Sequence, residues 1–225
     1  MTFLNRSDAG RKLAKALASY KNQDAVVLAL PRGGVPVAAE IAAALGAPLD
    51  VILVRKIGAV GQPELAMGAV VDGAEPIVIR NDDVIKVMGI TEPEFQAVCA
   101  RELAEIERRR QLFLGQGKRP DIAGRVVIVV DDGVATGATA RAALQATRKR
   151  GPSQLVFAVP VAAADSVESL ESEVDAIVCL EAPRRFGAVG SFYDDFRQVG
   201  DDEVVALLKR FSAGAPPRAQ LGSAN

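Results

Sequence analysis

At 225 residues the chain is long enough for one substantial domain, and its formal net charge of -1 gives no electrostatic case for nonspecific nucleic-acid binding. Hydrophobic residues are 49% and charged residues 24% of the chain, ordinary for a soluble globular protein, and no apolar run reaches the roughly 18 residues that a membrane span needs. There is no histidine, so histidine-based triads and His-ligated metal sites are excluded, and Cys99 and Cys179 stand too far apart to share a metal-ligand motif.

The start, Met1-Thr2-Phe3-Leu4-Asn5-Arg6, lacks a signal peptide's apolar stretch, so a cytoplasmic location is expected. Residues 25–30 are short and uniformly apolar, as a buried strand is, and an Ala-rich helix over 35–45 stops at Gly46. Residues 51–54 form a second apolar strand. Runs at 66–71 and 77–79, parted by Asp72-Gly73, suggest a hairpin appended to the sheet. Thr91-Glu-Pro-Glu94 has the spacing of a capping box, with Pro inside the first turn, and opens a long helix to about Leu114, where Gly115 and Gly117 break it.

Strands follow at 126–130, 154–159 and 176–180, with helices at 137–150, 166–172 and 203–211. The alternation predicts an α/β protein with a mostly parallel sheet and helices on both faces. No long linker divides it, so residues 1–211 read as one domain. The stretch from Ser212 onward is too poor in apolar residues to order itself. Cys99, in a helical stretch, and Cys179, in an apolar strand, read as packing residues.

The most informative segment runs from Val126 through Asp131-Asp132 to Gly133-Val-Ala-Thr136-Gly137-Ala-Thr139. A buried strand brings two carboxylates to the sheet edge where open α/β folds bind ligands. The small residues after them let backbone N–H groups turn around an anion, and the following helix adds its positive end. Thr136 and Thr139 add hydroxyl donors. No Gly-Lys-Ser/Thr follows, so this is not a Walker loop. One phosphate beside two carboxylates suits a phosphorylated sugar whose vicinal hydroxyls meet the acids; the plainer alternative is a helix cap and a tight turn.

This run resembles the 5-phosphoribosyl-1-pyrophosphate (PRPP) signature of type I phosphoribosyltransferases. Gly133 departs from it, since an aliphatic residue is commoner after the acids. The resemblance implies that Asp131 and Asp132 hold the ribose hydroxyls, and that Ala135, Thr136, Gly137, Ala138 and Thr139 hold the 5-phosphate. It also implies Mg²⁺, bound with the acids mostly through PRPP and water. Leu30-Pro31-Arg32-Gly33-Gly34 looks like the family's pyrophosphate loop. Arg32 and Gly33 would face the diphosphate, and relatives imply a cis bond here, at Leu30–Pro31 or Pro31–Arg32. Arg55 and Lys56 look like the basic residues that meet pyrophosphate, or form a solvated surface pair. Residues 57–67 fall where the family carries a mobile catalytic lid, and Glu64 in it is the best remaining carboxylate for a general base. Arg32, Lys56 and Glu64 are thus the candidate catalytic residues.

Residues 1–20 and 183–198 are the candidates for the acceptor-binding hood. In the second, Phe186, Phe192, Tyr193 and Phe196 either stack on a flat base or plug the sheet's edge. The implied function is Mg²⁺-dependent transfer of phosphoribosyl to a nitrogenous base with release of pyrophosphate. A PRPP-sensing regulator, with Arg108-Arg109-Arg110 as the candidate RNA contact, is the alternative; a phosphosugar hydrolase or mutase is a third. Partners are PRPP, a small acceptor and, as in many relatives, a second copy in a homodimer; no membrane is expected.

Overall fold

The computed structural model describes residues 2–73, 76–115 and 119–212. Five strands, β1 (Ala25–Ala29), β2 (Leu49–Val51), β6 (Val126–Val130), β7 (Gln154–Val161) and β8 (Ala176–Glu181), form a parallel sheet in the order β2-β1-β6-β7-β8. Successive side chains of a strand point to opposite faces. Val26, Leu28, Val127, Val129, Leu155 and Phe157 fill one face, while Val27, Ala29, Ile128, Val130, Val156 and Ala158 fill the other. A strand buried on both faces has to be apolar at every position, which is why residues 25–30 and 126–130 read as unbroken runs.

Helices α1 (Arg6–Ala16), α2 (Gly34–Leu45) and α7 (Asp201–Ser212) pack on one face, and α5 (Ala138–Lys149) with α6 (Ala164–Leu170) on the other. Between β2 and β6 the chain builds a separate antiparallel sheet, β3 (Val54–Ala59), β4 (Gln62–Val71) and β5 (Ile77–Arg80), followed by α3 (Asp82–Met88) and α4 (Glu92–Leu114). This small sheet is held between α4 and α5. Its apolar residues join both faces of the main core, and an ionic contact adds to that attachment. Arg119 donates to Asp50 in β2 at 3.0 Å and to Asp72 beyond β4 at 2.9 Å, and both acids are buried.

Several expected boundaries move for local reasons. The apolar run 51–54 is not one strand: Asp72 accepts from Leu53 N–H and donates its own N–H to Leu53 O, which draws the chain out of the parallel ladder so that Val54 opens β3. Residues 57–67, expected as a loop, are mostly strand. β3 and β4 turn at Val60-Gly61, where Gly61 takes a left-handed φ of +79°, and the register shifts around Gly58. The capping box at Thr91 is present, with Glu94 accepting from Thr91 N–H at 2.8 Å. The expected helix at 166–172 begins earlier, as α6, and ends as a 3-10 turn over Glu171–Glu173. The helix expected at 203–211 starts at Asp201, because three acids, Asp201, Asp202 and Glu203, favour a helix's positive end. α1 and α3 were not expected as helices. Gly117 and the tail beyond α7 lie outside the described residues. Among the described residues, no helix is long and apolar enough to cross a membrane.

Candidate functional site

The strand order reverses between β1 and β6: the chain runs outward from β1 to β2, then returns to the other side of β1 and runs outward again. At such a switch point the loops leaving two neighbouring strands part, and the carboxyl edge opens a crevice. Here the two loops are 30–34 after β1 and 131–137 after β6, joined at their base by Leu30 N–H donating to Val130 O at 2.8 Å. The peptide bond Pro31–Arg32 is cis, the second of the two bonds considered from the sequence.

Asp131 and Asp132 stand at this edge. Burial, and next the charge of Asp132, push the Asp131 carboxyl well above the usual carboxylate range, while Asp132 N–H donates to Asp131 Oδ1 at 2.8 Å. Asp132 lies against the other loop: a Cβ added at Gly33 would overlap its carboxylate, 2.5 Å from Cγ. Thus the glycine of the 30–34 loop is required by the acid of the 131–137 loop, a pairing that the separate motifs did not state.

Beyond the acids, Val134 N–H donates to Val161 O at 3.0 Å and Ser166 Oγ donates to Ala135 O at 2.6 Å, so β7 and α6 hold the loop. Gly137, at φ +75°, turns the chain into α5. The first amides of a helix have no carbonyl one turn back, and no side chain caps these. They face a cavity of about 220 Å³ lined by residues 133–140 with Asp131 and Val189. Asp131, Ala135, Thr136, Gly137, Ala138 and Thr139 are therefore brought together as the sequence implied. The departure at Gly133 also has a cause. A Cβ there would overlap Val189 Cγ1 and lie 3.0 Å from its Cγ2 and 3.1 Å from Val161 Cγ1, so Val189 occupies the space that an aliphatic side chain would fill.

The basic residues are arranged differently. Arg32 pairs with Asp201 at the start of α7 at 3.4 Å, a half-exposed contact that is cheap to exchange for a ligand. Arg55 pairs with Glu102 of α4 at 2.8 Å, and Lys56 with Glu64 at 3.1 Å, Glu64 being almost fully exposed. Arg55, Lys56, Glu64 and Glu102 line a groove of about 570 Å³ between the β3–β4 hairpin and α4, which shares no lining residue with the loop cavity. Arg32, Asp131 and Asp132 are not among the residues that line it.

The two segments expected to form the hood, 1–20 and 183–198, do meet. Phe3 bridges Tyr193, with Phe3 N–H donating to Phe192 O at 2.8 Å. The aromatics are largely spent on one another: Phe186 stacks on Phe192 at 5.4 Å, buried Tyr193 packs on Phe3, and Phe196 carries Arg6 over its ring at 3.9 Å. That favours a plug over a stacking platform. Sequence reasoning missed Arg6, whose Nε donates to Asp132 Oδ2 at 2.7 Å, and named Tyr193 only as a hood aromatic, not as the residue whose hydroxyl donates to Asp132 O at 2.5 Å. No motif links them to residues so distant in sequence. Burial, with Asp132 nearby, pushes the Tyr193 hydroxyl's pKa up, so it stays a donor.

Among the described residues no group of three or more Cys, Asp or Glu side chains encloses a metal position. Two adjacent carboxylates without a third are too few for a protein cage, and suit Mg²⁺ that brings phosphate and water as its other ligands.

The family model for the phosphoribosyl transferase domain matches residues 4–197. Two curated relatives, from two strains of Mycobacterium tuberculosis and each named "Putative phosphoribosyl transferase", are 47% identical over 208 residues, 92% of this chain but 46% of theirs. The chain therefore spans about half the length of the curated relatives it matches. The crystal structure of TT1426 from Thermus thermophilus is 41% identical, with a TM-score of 0.83, over 94% of this chain and 100% of that one. Coverage of both loops and the whole parallel sheet by that family model settles the family: the chain belongs to the phosphoribosyl transferase domain family.

Proposed function

We propose that this chain binds PRPP with Mg²⁺ and transfers its 5-phosphoribosyl group to a nitrogenous acceptor, releasing pyrophosphate. The observation that carries this reading is the meeting, at one switch point, of the acid pair, the 30–34 loop and the uncapped start of α5. The amides of 135–139 would hold the 5-phosphate. Asp131 and Asp132 would accept from the ribose hydroxyls, and the diphosphate would lie along Gly33 with Arg32 released from Asp201. Asp131 and Asp132 would hold Mg²⁺, mostly through PRPP and water, and the ion would supply charge neutralisation for the leaving group. As the C1–oxygen bond breaks and the C1–nitrogen bond forms, the protein's task is positioning and electrostatic stabilisation rather than covalent chemistry. Arg55 and Lys56 would reach the diphosphate only by turning from Glu102 and Glu64. Glu64 remains the candidate acceptor of the nucleophile's proton, through closure of the β3–β4 hairpin. Assembly as a homodimer in the cytoplasm belongs to the same reading.

A second reading, a PRPP-sensing regulator without turnover, is favoured by the aromatic rings of 183–198, which pack on each other instead of offering a platform. Calorimetry with Mg²⁺ and PRPP tests what the readings share. Asp131→Asn with Asp132→Asn is expected to abolish binding while the fold persists, and unchanged affinity refutes the site. Pyrophosphate release across a panel of bases then separates enzyme from sensor.

A further inference from the structure

α1 reaches the acid pair through one side chain. Arg6 donates from Nε to Asp132 Oδ2 at 2.7 Å and from Nη1 to the carbonyl of Arg197 at 2.8 Å, and its guanidinium carbon lies 3.9 Å over the Phe196 ring. The side chains of the ion pair are only 11% and 14% exposed. An enclosed pair of this kind is not the solvated contact that long surface side chains make and break, because both ions have given up most of their water. Three contacts from different directions fix one planar group: an acid, a backbone carbonyl and an aromatic face.

Asp132 is fixed in turn from several sides. Gly33 closes against its carboxylate, Tyr193 holds its carbonyl, and Arg6 occupies Oδ2. A carboxylate offers about four lone-pair positions, so the Arg6 contact leaves acceptor capacity for a hydroxyl. What it removes is rotation of the carboxylate. The bond also couples distant parts of the chain: Arg6 opens α1, and Arg197 and Phe196 belong to the segment bridged to Phe3.

We propose that Arg6 is a positioning residue for the ribose site, holding the Asp132 carboxylate in the orientation that receives a sugar hydroxyl. This rests on the assignment of the acid pair to the ribose. Lysine cannot take over the role. A guanidinium fork serves two acceptors at a fixed angle while lying flat on a ring, whereas an ammonium is a point charge on a flexible stem.

The test compares Mg²⁺–PRPP affinity by calorimetry in the full chain, for the parent, Arg6→Ala, Arg6→Lys and Leu13→Val. Leu13 is fully buried on α1. Trimming it weakens the docked helix while leaving Arg6 and its partners in place. Arg6→Ala is expected to lose on the order of 10- to 100-fold in affinity, the range for a hydrogen bond to a charged group, and Arg6→Lys to recover only part of it. Leu13→Val should keep the parent's affinity despite lower thermal stability. Arg6→Ala binding as well as the parent, or more tightly, overturns the proposal, as does an equal loss in Leu13→Val, which would make the role structural. Full recovery in Arg6→Lys overturns the argument from orientation. If the parent itself fails to bind, the ribose assignment falls first and this inference with it, a result distinguishable from failure of the variants alone.

Discussion

Gly33→Ala probes the point where the two loops meet. Gly33 has helical torsions, φ -60° and ψ -36°, which alanine adopts without strain. On backbone grounds alone the change should stabilise by about 0.4–1 kcal/mol, through the entropy of the unfolded chain. The steric term has the opposite sign. The new Cβ would overlap the Asp132 carboxylate, 2.5 Å from Cγ and 2.9 Å from Oδ1. A flexible carboxylate would swing aside at little cost, but this one is held by Arg6 at 2.7 Å. Relief therefore means giving up a charge-assisted hydrogen bond, which costs about 1.5–3 kcal/mol. The net destabilisation is about 1–2 kcal/mol, and the melting temperature should fall by roughly 2–8 °C for a chain of this size. Gly187, around which nothing lies within 4 Å of an added Cβ, supplies the control, and Gly187→Ala should melt at or near the parent temperature. Thermal unfolding followed by circular dichroism reads both, and calorimetry with Mg²⁺–PRPP should show at least a roughly tenfold affinity loss for Gly33→Ala alone. If Gly33→Ala melts above the parent, as the backbone term predicts, and binds equally well, then the carboxylate is free to move and the contact between loops is not a constraint.

Two further perturbations test other joints. Arg119→Leu leaves Asp50 and Asp72 buried without their cation and should cost about 3–5 kcal/mol in urea unfolding at pH 7. Burial already raises the Asp72 pKa, so in the variant its stability is kept below the unfolded value near pH 4 and lost as pH rises; a penalty larger at pH 5 than at pH 7 would contradict this. Gly133→Val should destabilise by about 1–3 kcal/mol through overpacking against Val189, and Val189→Ala should restore part of that loss; strictly additive effects would show that Val189 is not the obstacle.

What could be read from the sequence was whatever short-range chemistry determines. Residues 126–130 had to be a buried strand because both faces of that strand are covered, and the acids and small residues after it had to sit at the strand's carboxyl edge. The Thr91 box announced its helix because both capping partners lie within one turn. The long-range terms stayed silent. Leu53 leaves the ladder because Asp72, 19 residues on, takes its backbone, and nothing in the apolar run 51–54 records that. α1 was passed over as hood, although Asn5 caps it and Ala9, Leu13 and Ala14 form its buried face.

Gly133 shows how a departure from a pattern carries information once its neighbour is known. The missing side chain beside the acids is supplied by Val189, much later in the chain. Val189 comes from the same region that sends Tyr193 to the carbonyl of Asp132 and Phe196 to the face of Arg6. The acid pair is thus finished by residues outside its own motif, and these belong to the two segments that the sequence reading expected to form the hood. A change in residues 189–197 made to alter acceptor choice should therefore also disturb the ribose site, because Arg6, Tyr193 and Val189 connect the two through direct contacts.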